Sequence, residues 1–468
     1  MVDNSQEPKE HDVSLCGHYK IPADDVVLGE LERINQLMVH GRIEQKIDAL
    51  LDAFEYGQAG LEIIIHSLHD SSREVREAAY FLLQESTELS AKEILQEYIP
   101  YEFFKCLHTW NGETGMSLCF SISSDWKTLV SVDNGKCNLW DLRTGQLIRT
   151  LDIDLPNDDV TDYVNIAFIP DTQTLLLASE GIVSVWDIQT DEIIRTLKGN
   201  YAGSFATNLL NKTTIYLYRR DRDDYSDSEH PVKIWNLQTG QLVSTIYGHN
   251  TGEESDLIIN PSEQYITIMY CHFKDARGFY DIVLKMWDLQ TGERIDTFNV
   301  PLSKSDKTFF PTLSQDGKTL VTCSVDASIK VWNLQTKKII HIFQGHRLIH
   351  GYQPIFLSPQ ANILASGGED NRINTIILWD LIRGEKIHTL QGSAPVTFST
   401  EAKVIVSGGA DNTIIVWDLQ TGEKLCILEG HSSRIVDIAI SPDGQTIVSS
   451  SDVSSYFAND ATIKVWGV

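Results

Sequence analysis

Basic residues are scarce in this chain of 468 residues, where 38 Lys and Arg face 65 Asp and Glu to leave a formal net charge of -27. Phosphate backbones and anionic lipid attract proteins mainly through fields of Lys and Arg, so this balance excludes nucleic acid as a main partner. Long apolar runs are missing as well. No stretch approaches the roughly 18 apolar residues that cross a bilayer, and the opening MVDNSQEPKE lacks the basic-then-apolar order of a signal peptide. We therefore expect no membrane insertion and a cytoplasmic setting. Seven cysteines contain no CxxC pair, and their odd number in a long chain points to buried thiols rather than a disulfide framework.

The motifs of several chemistries are also absent. There is no GxxxxGK[ST] phosphate loop, no HExxH helix and no GxSxG elbow. The acidic run from Asp221 to Glu229 lacks the Gly and final Glu of a calcium loop, and His66 and His69 have no second pair of ligands beside them. The expectation is a protein that is not an enzyme and holds neither metal nor cofactor.

What is present falls into two patterns. Residues 1–20 are polar and unpatterned and read as a mobile tail. From about 27 to 99 the apolar residues follow a helical period, with Ile43, Ile47, Leu50, Leu51 and Phe54 on one face and Leu61, Ile64, Ile65 and Leu68 on a second. Glycines 41, 57 and 60 separate the segments, and Ser71 or Ser72 precedes a third stripe of Val75, Ala78, Ala79 and Leu82. The spacing of Asp70, Val75, Arg76 and Ala79 resembles the second helix of a HEAT repeat, which implies paired, stacked helices. We expect four or five short helices in a small all-α, HEAT-like domain over 21–100. Acidic charge is densest here, with 20 acidic against 8 basic residues in positions 1–100.

The second pattern is a repeat. LWDLRTGQLIRTL, VWDIQTDEIIRTL, IWNLQTGQLVSTI, MWDLQTGERIDTF, VWNLQTKKIIHIF, LWDLIRGEKIHTL, VWDLQTGEKLCIL and a terminal VWGV place tryptophans at Trp140, Trp186, Trp235, Trp287, Trp332, Trp379, Trp417 and Trp466, at intervals of 38 to 52 residues. Between them apolar and polar residues alternate as in half-buried strands, and each period has room for four. The repeat resembles the WD-repeat propeller family, whose blades are four-stranded sheets around a channel. That resemblance implies an all-β propeller of eight blades over 101–468, with seven as the alternative because the Trp186 and Trp235 units depart most from the pattern. Gly467 and Val468 alone follow Trp466, so a strand at 103–110 is expected to complete the last blade and close the ring.

The same resemblance implies a role for further residues. His249, His346 and His431, with Asp281, Asp326, Asp411 and Asp460, fall at the family's His and Asp positions, and Asp370 does so across a three-residue insertion before Trp379. There they join a strand hydroxyl and the Trp in a chain of bonds that satisfies buried polar groups. A Ser-His-Asp catalytic reading is the competitor, but a scaffold repeats one bond in every blade whereas an enzyme needs a single tuned set. The role is therefore structural, and Asp411 is expected to be a buried acceptor.

Binding residues usually sit on loops held by a rigid scaffold. The turns after each Trp are nearly uniform, while the connections between the second and third strands vary, and the family topology places these on the top face. Two adjacent insertions, RRDRDDYSDSEHP and CHFKDARGFYD, carry Arg219, Arg220, Arg222, Tyr225, Lys274, Arg277, Phe279 and Tyr280. Arg and aromatic residues are the common anchors of protein interfaces, so these form the candidate binding patch. The expected function is a non-catalytic scaffold that binds a protein or peptide through the top face. The alternative is a regulatory subunit that senses a small ligand at the channel mouth.

Overall fold

A computed structural model describes residues 24–468 except 113–118, 134–135, 153–164, 170–172, 180–181, 191, 199–202, 208–213, 220–231, 238, 247–253, 260–264, 276–278, 289–290, 302–307, 315, 325–327, 347–354, 371–372, 400–402, 410 and 452–460. The tail at 1–20 lies outside the described residues. The chain divides into two compact units, Met1–Ile99 and Pro100–Val468.

The first unit holds five helices: α1 (Asp24–His40), α2 (Ile43–Glu55), α3 (Gln58–Ser67), α4 (Arg73–Glu85) and α5 (Leu89–Glu97). Its core is built from Ile34, Leu50, Ala53, Leu61, Ile64, Val75, Ala79 and Leu83. The buried face of α2 is Ala49, Leu50 and Ala53, so the expected stripe is displaced, and Ile43 and Leu51 stand exposed. Small alanines let α2 approach α3 closely: a Cβ on Gly60 would meet the Ala53 carbonyl oxygen. Ser72 occupies the cap position of α4 without capping it, and its hydroxyl donates to Glu74 instead.

Asp70, in the α3–α4 turn, ties this unit together. Its carboxylate accepts from Lys46 Nζ of α2 at 2.7 Å and from the Ser72 N–H at 2.8 Å, while its carbonyl accepts from Arg76. Burial pushes the Asp70 carboxyl upward, but the bonds from Lys46, Ser72 and Ser71 together hold it below its ordinary value.

In the second unit the described strands form antiparallel sheets of four, except that the sheets of the Trp287 and Trp332 units are joined through one pairing, Tyr280 with Thr308. The repeated Trp lies on the third strand of each. First strands of successive units touch, as Cys119–Ile122 does Asn165–Phe168 and Ser393–Phe398 does Ile435–Ile440, so these strands lie innermost. The arrangement is that of a β-propeller. The Trp466 sheet takes its fourth strand from Lys105–Asn111, which pairs Cys106 with Trp466 and Asn111 with Thr462. The residues just before it, Tyr101–Phe103, form a 3-10 turn rather than strand. Trp110 then packs beside Trp140 of the following sheet, in a cluster with Leu129, Ile463 and Val465.

Two features mark the fourth strands. The ladder is interrupted at the residue eight after Trp, an aliphatic bulge: Ile148, Ile194, Val243, Ile295, Ile340, Ile387, Leu425 and, on the Lys105–Asn111 strand, Leu107. The next residue reaches into the post-Trp turn of the neighbouring sheet. His108 lies 3.1 Å from the Arg143 carbonyl, Arg195 donates to the Thr239 carbonyl at 3.0 Å, Asp296 accepts from Lys337 at 2.9 Å, and His388 lies 2.9 Å from the Gln420 carbonyl. This explains the uniform TG turn. Gly145, Gly240, Gly292, Gly384 and Gly422 have φ near 70°, and a Cβ at Gly384 would come within 2.5 Å of His341 Nδ1.

Candidate functional site

The buried polar residues of the repeat build two networks that join histidine, hydroxyl and tryptophan. In the last unit His431 Nδ1 lies 2.8 Å from Thr462 Oγ1 and its Nε2 lies 2.7 Å from Ser449 Oγ, which also accepts from Trp466 Nε1 at 2.8 Å. In the Trp379 unit His346 Nδ1 lies 3.1 Å from Thr375 Oγ1 and its Nε2 meets the Ser366 carbonyl at 2.9 Å, while Ser366 Oγ accepts from Trp379. Burial, reinforced by Lys464, lowers the His431 pKa to about 4, so its ring is neutral at pH 7.

A serine hydroxyl 2.7 Å from an imidazole resembles a nucleophile beside its base. Ser449 is fully buried, however, and its oxygen already accepts the indole N–H. Both ring nitrogens of His431 are engaged within the blade. This geometry holds strands together and presents no reactive atom to a substrate.

Elsewhere the Trp bond persists without a histidine in the described network: Trp140 donates to Ser131, Trp332 to Thr322 and Trp417 to Ser407, at 2.9 to 3.0 Å. The same register position carries Leu177, Leu217 and Ile268 in the Trp186, Trp235 and Trp287 units. None has a hydroxyl, and the indole N–H groups of those three tryptophans are buried without a partner. The hydroxyl two residues beyond the Trp-paired position was the signal available in the sequence, and it separates the two arcs of the repeat.

The carboxylate positions behave differently. Asp411 is exposed, and its carboxylate accepts from the nearby Thr413 hydroxyl at 2.7 Å. This corrects the buried acceptor expected there, because Ser393 stands where the other networks place histidine. Asp281 and Asp370 lie on strands, in register with His272 and Ile373. His249, Asp326 and Asp460 lie outside the described residues.

The candidate binding patch is partly described. Arg219 ends the strand Thr214–Arg219, in register with Gly203. Arg220, Arg222, Tyr225 and Arg277 lie outside the described residues. Lys274, Phe279 and Tyr280 are brought together, but not in the loop expected from the insertion. The second and third strands of the Trp287 unit, Tyr265–Asp275 and Phe279–Asp288, continue their ladder to Phe273 opposite Tyr280 and Asp275 opposite Phe279, with Lys274 as the extra residue of a bulge. Polar residues such as His272 and Asp281 disguise this continuation in the sequence. The Trp379 unit has the same device: Ile363–Asp370 and Ile373–Asp380 pair up to Asp370 opposite Ile373. Long hairpins thus extend both sheets that flank the Trp332 unit.

Among the described residues no three His, Cys, Asp or Glu side chains converge as a metal site, and no helix is long and apolar enough to cross a membrane.

A family model, the WD domain, G-beta repeat, matches residues 312–333, 384–418 and 422–467. These stretches contain Trp332, Trp417 and Trp466, whose indoles all have hydroxyl partners. Curated relatives include nuclear distribution protein nudF 1 of Talaromyces marneffei, 31% identical over 118 residues that span 25% of this chain and 24% of that protein. Small ribosomal subunit protein RACK1y of Oryza sativa is 31% identical over 166 residues, 32% of this chain and 44% of that one. The anaphase-promoting complex subunit cdc20 of Dictyostelium discoideum is 29% identical over 164 residues, 33% and 31% of the two chains. The chain thus spans less than half the length of each of these relatives. Among solved structures, the computationally designed Ika8 protein superposes with a TM-score of 0.54 and 23% identity, covering 78% of this chain and all of that one. This last likeness concerns the fold.

Proposed function

We propose that this chain, which carries WD40 repeats on a β-propeller preceded by five helices, is a non-catalytic scaffold that binds a protein or peptide through the propeller's top face. In this reading the sheets close as eight blades, with Lys105–Asn111 as the outermost strand of the last. The helical unit, HEAT-like in its Asp70–Arg76 turn, offers a second contact, and the protein works in the cytoplasm. The observation that carries the reading is the division of labour between polar groups. The buried His, Ser, Thr and Trp side chains of the Trp379 and Trp466 units are committed to bonds within blades, while basic and aromatic residues gather on the extended hairpin of residues 265–288. A laddered hairpin fixes the backbone beneath such anchors and so lowers the entropic cost of binding through them. The names of two relatives, a ribosomal subunit protein and a subunit of the anaphase-promoting complex, are consistent with a repeat used inside assemblies.

The test is charge reversal at Arg219, Arg220 and Arg277. Wild-type protein immobilised in native extract is expected to capture an acidic partner that the triple variant loses at low salt. Capture by the wild type should also decline as salt rises, since exposed charges are screened over about 8 Å at physiological ionic strength. Equal capture by both proteins at every salt concentration would place the binding surface elsewhere.

A further inference from the structure

We propose that the outer edge of the strand Lys338–Gln344 is a second docking site, which takes an extended segment of alternating aliphatic and acidic residues as a fifth strand of the Trp332 unit. This site is separate from the 265–288 hairpin and does not rest on the top-face reading.

Among the described residues this strand pairs only with Ser328–Asn333, so its other edge presents backbone N–H and C=O groups outward. Folded proteins usually blunt such an edge with charge or proline, because an unblunted one pairs with any extended chain. Here three of the exposed residues between Lys338 and Gln344 are apolar: Ile339, Ile340 and Ile342 are 40, 44 and 56% exposed. The bulge places Ile339 and Ile340 together opposite Trp332, and Ile342 stands opposite Lys330, so the register puts them on the sheet face that carries Trp332. Six of the eight units have Thr where this strand has Ile342. The other exception, Ile427, lies opposite the buried Ile415 rather than a lysine.

Charge selects the occupant. From residue 327 to 368 the chain contains no Asp or Glu, although it holds 65 in 468 residues, and the same stretch holds Lys330, Lys337, Lys338 and Arg347. Lys337 is tied to Asp296 at 2.7 Å, while Lys338 is exposed at the start of the edge strand. An incoming strand would lay aliphatic side chains beside the isoleucines and carboxylates on the opposite face, beside Lys338. Strand addition draws affinity from main-chain hydrogen bonds and selectivity from alternate side chains, and both elements stand at this edge. A second copy of the chain is a poorer occupant, since its net charge of -27 repels itself.

The test uses the full chain and a fluorescently labelled synthetic peptide of alternating valine and glutamate, titrated by anisotropy at low salt. Wild-type protein is expected to bind it saturably, with slowed amide exchange at 338–344. Lys338→Glu combined with Ile342→Glu should weaken binding by about tenfold or more, because like charge and lost apolar contact then meet the peptide. A peptide with proline at two central valines should bind as weakly, since it cannot donate the ladder bonds. Absence of saturable binding to the wild type, equal binding of the proline peptide, or exchange protection away from 338–344 would each overturn the proposal. So would sedimentation showing a dimer of the chain abolished by Ile342→Glu. The exchange and proline arms use unmodified protein and decide the matter even if the double variant unfolds.

Discussion

Tryptophan 417 and its partner Ser407 illustrate how one bond carries the repeat at the scale of residues. Ser407→Ala leaves a buried indole N–H without an acceptor, which costs about 1 to 3 kcal/mol and is measurable as a shift in denaturant midpoint. Adding Trp417→Phe should cost less than the sum of the two single changes, because the pair acts as a unit. Asp411→Ala, by contrast, should scarcely move the midpoint, since Asp411 is exposed. His431 gives the pH dependence. Burial holds its folded pKa at about 4, below the ordinary 6.5, so the unfolded chain binds the extra proton between these values. Stability contributed by neutral His431 is complete above about pH 6.5 and is lost as pH falls toward 4, on the order of 3 kcal/mol in all. His431→Gln, which does not titrate, should flatten that part of the melting-temperature profile. An unchanged profile would show that His431 is not the group responsible.

At the scale of elements, the link between neighbouring sheets runs through the residue nine after Trp and the glycine turn it meets. Gly384→Ala should destabilise by about 1 kcal/mol or more, from its positive φ and from the approach of His341. His341→Ala in the same chain should recover the steric part, and a double-mutant cycle on thermal melts measures it. In the helical unit, Lys46→Met should cost about 1 to 3 kcal/mol, because it takes the cation away from a largely buried Asp70. The third strands were legible in the sequence because each Trp closes an alternating run. The long hairpin was not, since its ladder passes through His272, Lys274 and Asp275, residues whose chemistry reads as loop. The α2 face was misread for a related reason: alanines 49 and 53 carry the packing, and small side chains give a weak periodic signal. The partner patch is half legible at best, with Lys274, Phe279 and Tyr280 on one hairpin and Arg220, Arg222, Tyr225 and Arg277 outside the described residues.

For the whole molecule, the pairing of Lys105–Asn111 with Thr462–Gly467 makes the stability of the propeller depend on residues 350 positions and more apart. A chain beginning at Asn111 should melt lower and less cooperatively than one beginning at Tyr101, because an open sheet edge and the exposed Trp140 cluster replace a closed seam. Identical melts would contradict closure through this strand. The uneven repeat also bears on the molecule as a whole. Three adjacent units lack the hydroxyl that satisfies their tryptophan, and the family model matches only stretches in the better-satisfied arc. The less satisfied arc is also the one that carries the candidate patch. The most direct measurement of the scaffold reading is amide hydrogen exchange of the full chain with and without its captured partner. Slowed exchange is expected at 214–219 and along the 265–288 hairpin, whereas protection confined to α1–α5, or none in the propeller, would contradict top-face binding.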